Sequence, residues 1–142
     1  MEELNAVFLS LGANLGQRED QINQAIWLMN NEGIRVIGQS RFFYSKAMGY
    51  ESNYEFCNVA IKVLTAYNPI TLLNVLKKIE RNIGRLEKST FGQYQDRLID
   101  IDIIFFNNLS FNDDQLTIPH PFWAIRPFVY IPILELIDRR LI

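Results

Sequence analysis

Hydrophobic and polar positions change period several times along the chain, and each change marks an element. Ala6 to Leu11 is a short apolar run that stops at Gly12-Ala13-Asn14-Leu15-Gly16, which predicts a strand leading into a loop. From Gln17 to about Asn31 the apolar residues Ile22, Ala25, Ile26 and Met29 recur at helical spacing, and Gly33 ends that helix. Ile34 to Met48 is rich in β-formers (Val36, Ile37, Phe42, Phe43, Tyr44), and Gly49 to Tyr54 is a polar loop. Phe56 to Leu64 predicts another strand. Asn68-Pro69 offers an N-cap followed by proline at the first helical position. Leu72, Leu73, Leu76, Ile79 and Ile83 form the buried stripe of the helix that follows, and Gly84 is its stop. Leu98 to Phe106 is the clearest strand. Beyond it lie polar turns, the rigid segment Pro119-His120-Pro121 and a short apolar helix near Val129 to Ile137.

The predicted order is strand, helix, strand, strand, helix, strand, with a C-terminal extension. That is an α+β, ferredoxin-like βαββαβ core, in which both helices cover one face of an antiparallel sheet. The other face is expected to stay available for a site. At 142 residues the chain is expected to form one domain over 1–142. Its 49% hydrophobic and 21% charged residues exclude a disordered chain or a coiled coil. A formal charge of −2 argues against nonspecific binding to nucleic acid. A single cysteine, Cys57, makes no internal disulfide, which fits a reducing, cytoplasmic setting. Met-Glu-Glu-Leu-Asn has no basic lead into an apolar stretch, and no apolar run approaches the ~20 residues that span a bilayer. No membrane partner is expected.

Alternation within two strands carries the chemistry. In the last strand Ile99, Ile101, Ile103 and Phe105 are predicted to share one face, with Asp100 and Asp102 on the other. The apolar face packs on the helices, so the aspartates project from the open face, about 7 Å apart along the strand. Adjacent carboxylates repel unless a positive charge lies beside them. A hard divalent cation such as Mg²⁺ answers this where a phosphate substrate supplies further ligands, and two solvated side chains answer it equally well. In the strand from Phe56, residues Cys57, Val59, Ile61 and Val63 form the apolar face, leaving Phe56, Asn58 and Ala60 on the other. A phenyl ring beside a carboxamide suits a flat polar heterocycle, although an exposed phenylalanine and a turn-proximal asparagine give the same pattern. Arg85, Lys88 and Arg97 flank the acidic strand and Arg126 follows Pro-His-Pro. Arginines of this kind either clamp polyphosphate oxygens or simply solvate a surface. His120 is the only histidine. The loop Gly12 to Gly16 lacks the spacing of a P-loop or a dinucleotide fingerprint.

Together these segments resemble a known family. Leu11-Gly12-Ala13-Asn14-Leu15-Gly16-Gln17-Arg18 resembles the opening signature of the 6-hydroxymethyl-7,8-dihydropterin pyrophosphokinases. Asp96-Arg97-Leu98-Ile99-Asp100-Ile101-Asp102-Ile103-Ile104 is similar to that family's Arg-x-x-Asp-hydrophobic-Asp signature. Leu116-Thr117-Ile118-Pro119-His120-Pro121 with Arg126-Pro127-Phe128-Val129 resembles its C-terminal segment. Phe56-Cys57-Asn58 matches its aromatic-x-Asn strand and Gly84-Arg85 its Gly-Arg after the second helix.

The resemblance implies a ferredoxin-like fold and transfer of the β,γ-pyrophosphoryl group from ATP to the pterin's hydroxymethyl oxygen, releasing AMP. It implies that Asp100 and Asp102 hold two Mg²⁺ ions, and that Arg85, Arg97, His120 and Arg126 contact the triphosphate. Glu80 would touch the nucleotide. Phe56 and Phe128 would sandwich the pterin, Asn58 would bond its edge, and Ser45, Lys46 and Met48, within Ser45 to Gly49, would line the same pocket. Tyr94 keeps the family's aromatic in the segment before the signature arginine. Small molecules are the implied partners, with the chain a monomer or weak dimer. Gln93 stands where the family usually has a basic residue, and Glu87 where an arginine is common. These departures point to altered turnover. A weakened relative that only binds pterin or nucleotide, and a ferredoxin-like binding module, are the rival expectations.

Overall fold

The computed structural model describes residues 3–46, 55–84 and 98–140. The order is β1 (Asn5–Ala13), α1 (Arg18–Asn30), β2 (Ile34–Gln39), β3 (Phe43–Ser45), β4 (Phe56–Thr65), α2 (Pro69–Gly84) and β5 (Asp100–Phe106). A hairpin of β6 (Phe111–Asn112) and β7 (Thr117–Ile118), a 3₁₀ turn at Trp123–Ile125 and α3 (Pro127–Arg140) follow. β2, β4, β1 and β5 lie side by side in that order, all antiparallel, and β3 pairs with β4 beyond the end of β2. This is the ferredoxin-like arrangement expected from the element order.

The helix-side face is the main core. Val7, Leu9 and Leu11 of β1 meet Val59, Ile61 and Val63 of β4 and Ile101 and Ile103 of β5. Ile22, Ala25 and Met29 of α1 and Leu72, Leu76 and Ile79 of α2 close over them. The α2 stripe thus lands where its spacing predicts, and Asn68 caps it, its Oδ1 accepting the Thr71 N–H at 2.8 Å. Gly33 takes φ +83°, which favours glycine, and a Cβ there would meet the Tyr67 hydroxyl oxygen at 2.9 Å.

Two features depart from the expected pattern. The β1–β5 register shifts between Phe8 and Leu9, because Leu9 opposes Ile103 while Phe8 opposes Phe105. The extra residue, Ile104, is a bulge that inverts the alternation beyond it. Phe105 therefore leaves the face of Ile101 and Ile103, and Phe106 takes its place in the main core. The opposite face is also not fully open. Val129, Ile133 and Leu136 of α3 pack on Ala60 and Ile104, flanked by the edge-on aromatic series Phe8, Phe105 and Trp123. α3 begins earlier than the apolar pattern suggests, at Pro127, where proline costs nothing. It leaves the end of the face around Gly12 and Asp100 beyond its cluster.

The edge strand is broken. Ile37 has no register partner between Val36 and Gly38, a bulge on β2. Between β2 and β3, Ser40 bridges the gap: its N–H donates to the Ala60 carbonyl and its Oγ accepts the Ala60 N–H, both at 2.9 Å. No helix among the described residues is long and apolar enough to cross a membrane.

Leu76, fully buried in the main core, and Asn68, an exposed cap, should differ in what they contribute. Leu76→Ala is expected to cost about 3 kcal/mol and Asn68→Ala about 1 kcal/mol, read from urea unfolding. Equal losses would contradict the packing of α2 described above.

Candidate functional site

Three adjacent strands place the polar residues of the second face in register. Gly12 of β1 sits between Asn58 of β4 and Asp100 of β5, and Ser10 sits between Ala60 and Asp102. The row Asn58–Gly12–Asp100 therefore crosses the sheet with no side chain at its centre. A Cβ on Gly12 would meet Asn58 Oδ1 at 2.8 Å and Phe56 Cδ1 at 3.6 Å. Gly12 is the floor that lets Phe56 and Asn58 lie close to the central strand. Asn58 is buried, and its Nδ2 donates to Ser45 Oγ at 3.0 Å and to the Phe43 carbonyl at 3.4 Å. Lys46, next to Ser45, is exposed.

A cleft of about 450 Å³ runs along the outer edge of β5, between α2 and the β6–β7 hairpin. Glu80, Asp100, Asp102 and His120, from three separate stretches of the chain, line it together. Glu80 has a structural task as well, since its Oε2 accepts the Ile101 N–H at 2.6 Å. This donor faces away from β1 and would otherwise go unpaired at the sheet edge, and a carboxylate satisfies it strongly. At the other end of the strand's approach, Gln21 of α1 donates to the carbonyls of Leu15 and Leu98, joining the loop after β1 to the entry of β5.

His120 is held by main chain. Its N–H donates to the Ile104 carbonyl at 3.0 Å, and its Nδ1 accepts the Phe122 N–H at 3.2 Å. A ring nitrogen that accepts carries no proton, so the neutral imidazole bears its hydrogen on Nε2. Burial pushes the imidazole below its ordinary 6.5, the Arg126 cation adds to this, and Asp100 works against it. Arg126 itself stands 5.2 Å over the Phe122 ring. Phe128 is half-buried against the α3 cluster.

Arg85, Met48, Tyr94 and Arg97 lie outside the described residues, as do Glu87, Lys88 and Gln93. Lys77, Asp113, Asp114, Gln115 and Thr117 also line the cleft, and the sequence reading did not single them out. Lys77 had a signal, since it is one helical turn before Glu80 and one after Leu73, another lining residue. The acids of the hairpin turn had none, since Asp113 there caps the turn by accepting from the Gln115 and Leu116 N–H groups.

His120 is the sole histidine, so its titration is directly observable. Long-range ¹H–¹⁵N spectra should show a neutral ring at pH 7 with the proton on Nε2, titrating below 6.5. Because the folded state disfavours the imidazolium, this group lowers stability as pH falls through 6.5 toward the folded value. Arg126→Ala should move the midpoint upward. A midpoint at or above 6.5 in the unsubstituted protein would contradict the described environment.

Comparison with known proteins supplies the family. The model of 7,8-dihydro-6-hydroxymethylpterin-pyrophosphokinase (HPPK) matches residues 8–138. The 2-amino-4-hydroxy-6-hydroxymethyldihydropteridine pyrophosphokinase of Bacillus subtilis is 33% identical over 133 residues, 93% of this chain and 78% of that protein. Its counterpart in Porphyromonas gingivalis is 35% identical over 130 residues, 91% of this chain and 88% of that protein. The crystal structure of wild-type Plasmodium falciparum HPPK-DHPS with SDX-DHP shares the fold, with a TM-score of 0.69 at 16% identity. That likeness covers 96% of this chain and 41% of the other. With the family model spanning nearly the whole chain and two relatives similar along most of their own length, the chain belongs to the 7,8-dihydro-6-hydroxymethylpterin-pyrophosphokinase family.

Proposed function

We propose that this chain transfers the β,γ-pyrophosphoryl group of ATP to the hydroxymethyl oxygen of 6-hydroxymethyl-7,8-dihydropterin, releasing AMP, as a step of folate biosynthesis. Family membership supports the reaction. The observation that supports its placement is the row Asn58–Gly12–Asp100. Two strand spacings separate the carboxamide from the carboxylate, about 10 Å, the scale of a pterin with its hydroxymethyl arm. A pterin edge bonded at Asn58 thus directs its hydroxyl toward Asp100.

The donor set fits Mg²⁺. Two carboxylates sit two residues apart on one strand. Such a site leaves most coordination positions to phosphate oxygens and water, as Mg²⁺ prefers. In our reading Asp100 and Asp102 hold two Mg²⁺ ions, which when bound neutralise phosphate charge and bring the two substrates together. Among the described residues that line the cleft, the acids Glu80, Asp100, Asp102, Asp113 and Asp114 outnumber the basic Lys77, so divalent cations would offset the charge that a triphosphate meets there.

The protein's own part is positioning. Phe56 and Phe128 stack on the pterin, Asn58 binds its edge, and Ser45, Lys46, Met48 and Tyr94 complete that end. Glu80 borders the nucleotide, fixed by its bond to the Ile101 N–H. The neutral His120 offers Nε2–H to a phosphate oxygen, and Arg85, Arg97 and Arg126 offset the charge that develops. The hydroxymethyl oxygen forms a bond to the β-phosphorus, the bond from that phosphorus to the bridging oxygen of AMP breaks, and the hydroxyl proton passes to solvent. We read residues 1–142 as one such domain, acting on small molecules in the cytoplasm as a monomer or weak dimer.

Mixing protein, Mg²⁺, ATP and 6-hydroxymethyl-7,8-dihydropterin is expected to give pterin-dependent AMP and no ADP. ADP would mean ordinary phosphoryl transfer and overturn the proposal, and binding without product would leave only a binding protein. Asp100→Asn and Asp102→Asn are expected to fold normally and each to lose about a hundredfold or more of turnover. Near-normal turnover in both would remove the metal assignment.

Gly12→Ala tests the floor of the row separately. Its methyl displaces the Asn58 carboxamide, so the pterin KM is expected to rise about tenfold or more, consistent with the cost of a misplaced hydrogen bond. The urea midpoint should move little, since the atom met is the end of a side chain. An unchanged pterin KM would contradict this role.

A further inference from the structure

β3 is three residues long, too short for its ladder alone to fix its place. Its central residue is tied to the first turn of α1. The Tyr44 hydroxyl donates to Glu19 Oε2 at 2.7 Å, and the Arg18 guanidinium stands 5.4 Å from the centre of the Tyr44 ring. Arg18 Nη1 also donates to the Glu55 carbonyl at 2.8 Å, one residue before β4 begins. One turn of helix therefore grips both β3 and the entry to β4. Tyr44 pairs with Cys57 on the helix side of the sheet, while Phe43 and Ser45 flank it and meet Asn58 through its Nδ2.

The Tyr44–Glu19 bond is strong enough to mark both partners. It is the largest cause holding the Tyr44 phenol up at about 12 and the Glu19 carboxyl below its ordinary 4.5. Glu19 is also an acid in the first turn of α1, where the helix dipole favours its charge.

We propose that Arg18 and Glu19 are positioning residues for pterin recognition: by fastening Tyr44 and Glu55 to α1 they fix β3, and through Ser45 they set the orientation of the Asn58 carboxamide. The inference rests on the reading of Asn58 as a pterin contact. Neither residue is among those lining the β5 cleft, so the nucleotide end is untouched.

The test titrates 6-hydroxymethyl-7,8-dihydropterin into the protein with Mg²⁺ and saturating α,β-methylene ATP, in which the bond to be broken is blocked. Arg18→Ala and Glu19→Ala are each expected to weaken pterin binding about five- to tenfold, the scale of an exposed charge-assisted contact. The affinity for the ATP analogue and the urea midpoint should stay within about twofold and a few tenths of a molar respectively. Tyr44→Phe should reproduce Glu19→Ala, and the double variant should be no worse than either, since both remove the same bond. Asn58→Ala is measured beside them. If it weakens pterin binding while the α1 variants do not, the positioning inference falls and the site reading stands. If Asn58→Ala also changes nothing, both fall. Equal loss of pterin and nucleotide binding with a lowered midpoint would show a general structural role and overturn the inference.

Discussion

β1 is hydrogen-bonded along both of its edges, to β4 on one side and β5 on the other, so its register decides what faces what on the whole sheet. Its helix-side residues Val7, Leu9 and Leu11 are wholly buried. Because the same strand carries Ser10 and Gly12 on the reverse side, packing of the core and placement of the polar row are one constraint. A one-residue slip of β1 would expose its leucines and scatter Asn58 and Asp100 together. The hydrophobic core thereby holds the polar row in alignment, and its members Leu73, Ile101 and Ile103 also form part of the cleft wall.

The bulge at Ile104 extends this logic. Up to Ile103 the acidic strand alternates strictly, which keeps Asp100 and Asp102 out of the main core that holds Ile101 and Ile103. Beyond it the inverted alternation gives Phe105 to the aromatic cluster under α3 and Phe106 to the main core. One strand therefore feeds two cores and a polar site in seven residues. The sheet's free edge beside it is occupied by a carboxylate from α2 and by the His120 segment. These contacts replace the missing neighbouring strand with groups that also line the cleft.

Much of this architecture is legible in the chain. The α2 stripe from Leu72 to Ile83 and the alternation of Cys57, Val59, Ile61 and Val63 are long enough to declare a period, and they pack as that period requires. The β6–β7 hairpin shows in the sequence only as polar turns, because two-residue strands have no period. Phe105 lies on the face opposite to the one its alternation predicts, because a bulge leaves no mark in the residue types around it. The second face was expected to be open because α3, with Pro132 inside it, reads as a short apolar run. At the cleft, Asp100 and Asp102 stand out by alternation, while His120 and Glu80 are pointed to by the resemblance. Lys77 and the acids of the β6–β7 turn do not stand out in the chain, since a surface charge becomes part of a cleft only through tertiary packing.

The interrupted edge of the sheet has a consequence for the molecule in a crowded solution. An uninterrupted β2–β3 strand would present one long row of backbone donors and acceptors to any passing chain. Here the bulge at Ile37 breaks the spacing of that row, Ser40 turns its hydroxyl inward, and the exposed Arg35 places a charge outward. A second molecule approaching this edge finds no continuous template to extend. The kink that brings β3 beside Asn58 thus also guards against edge-to-edge pairing, so straightening it by design would expose a continuous strand edge.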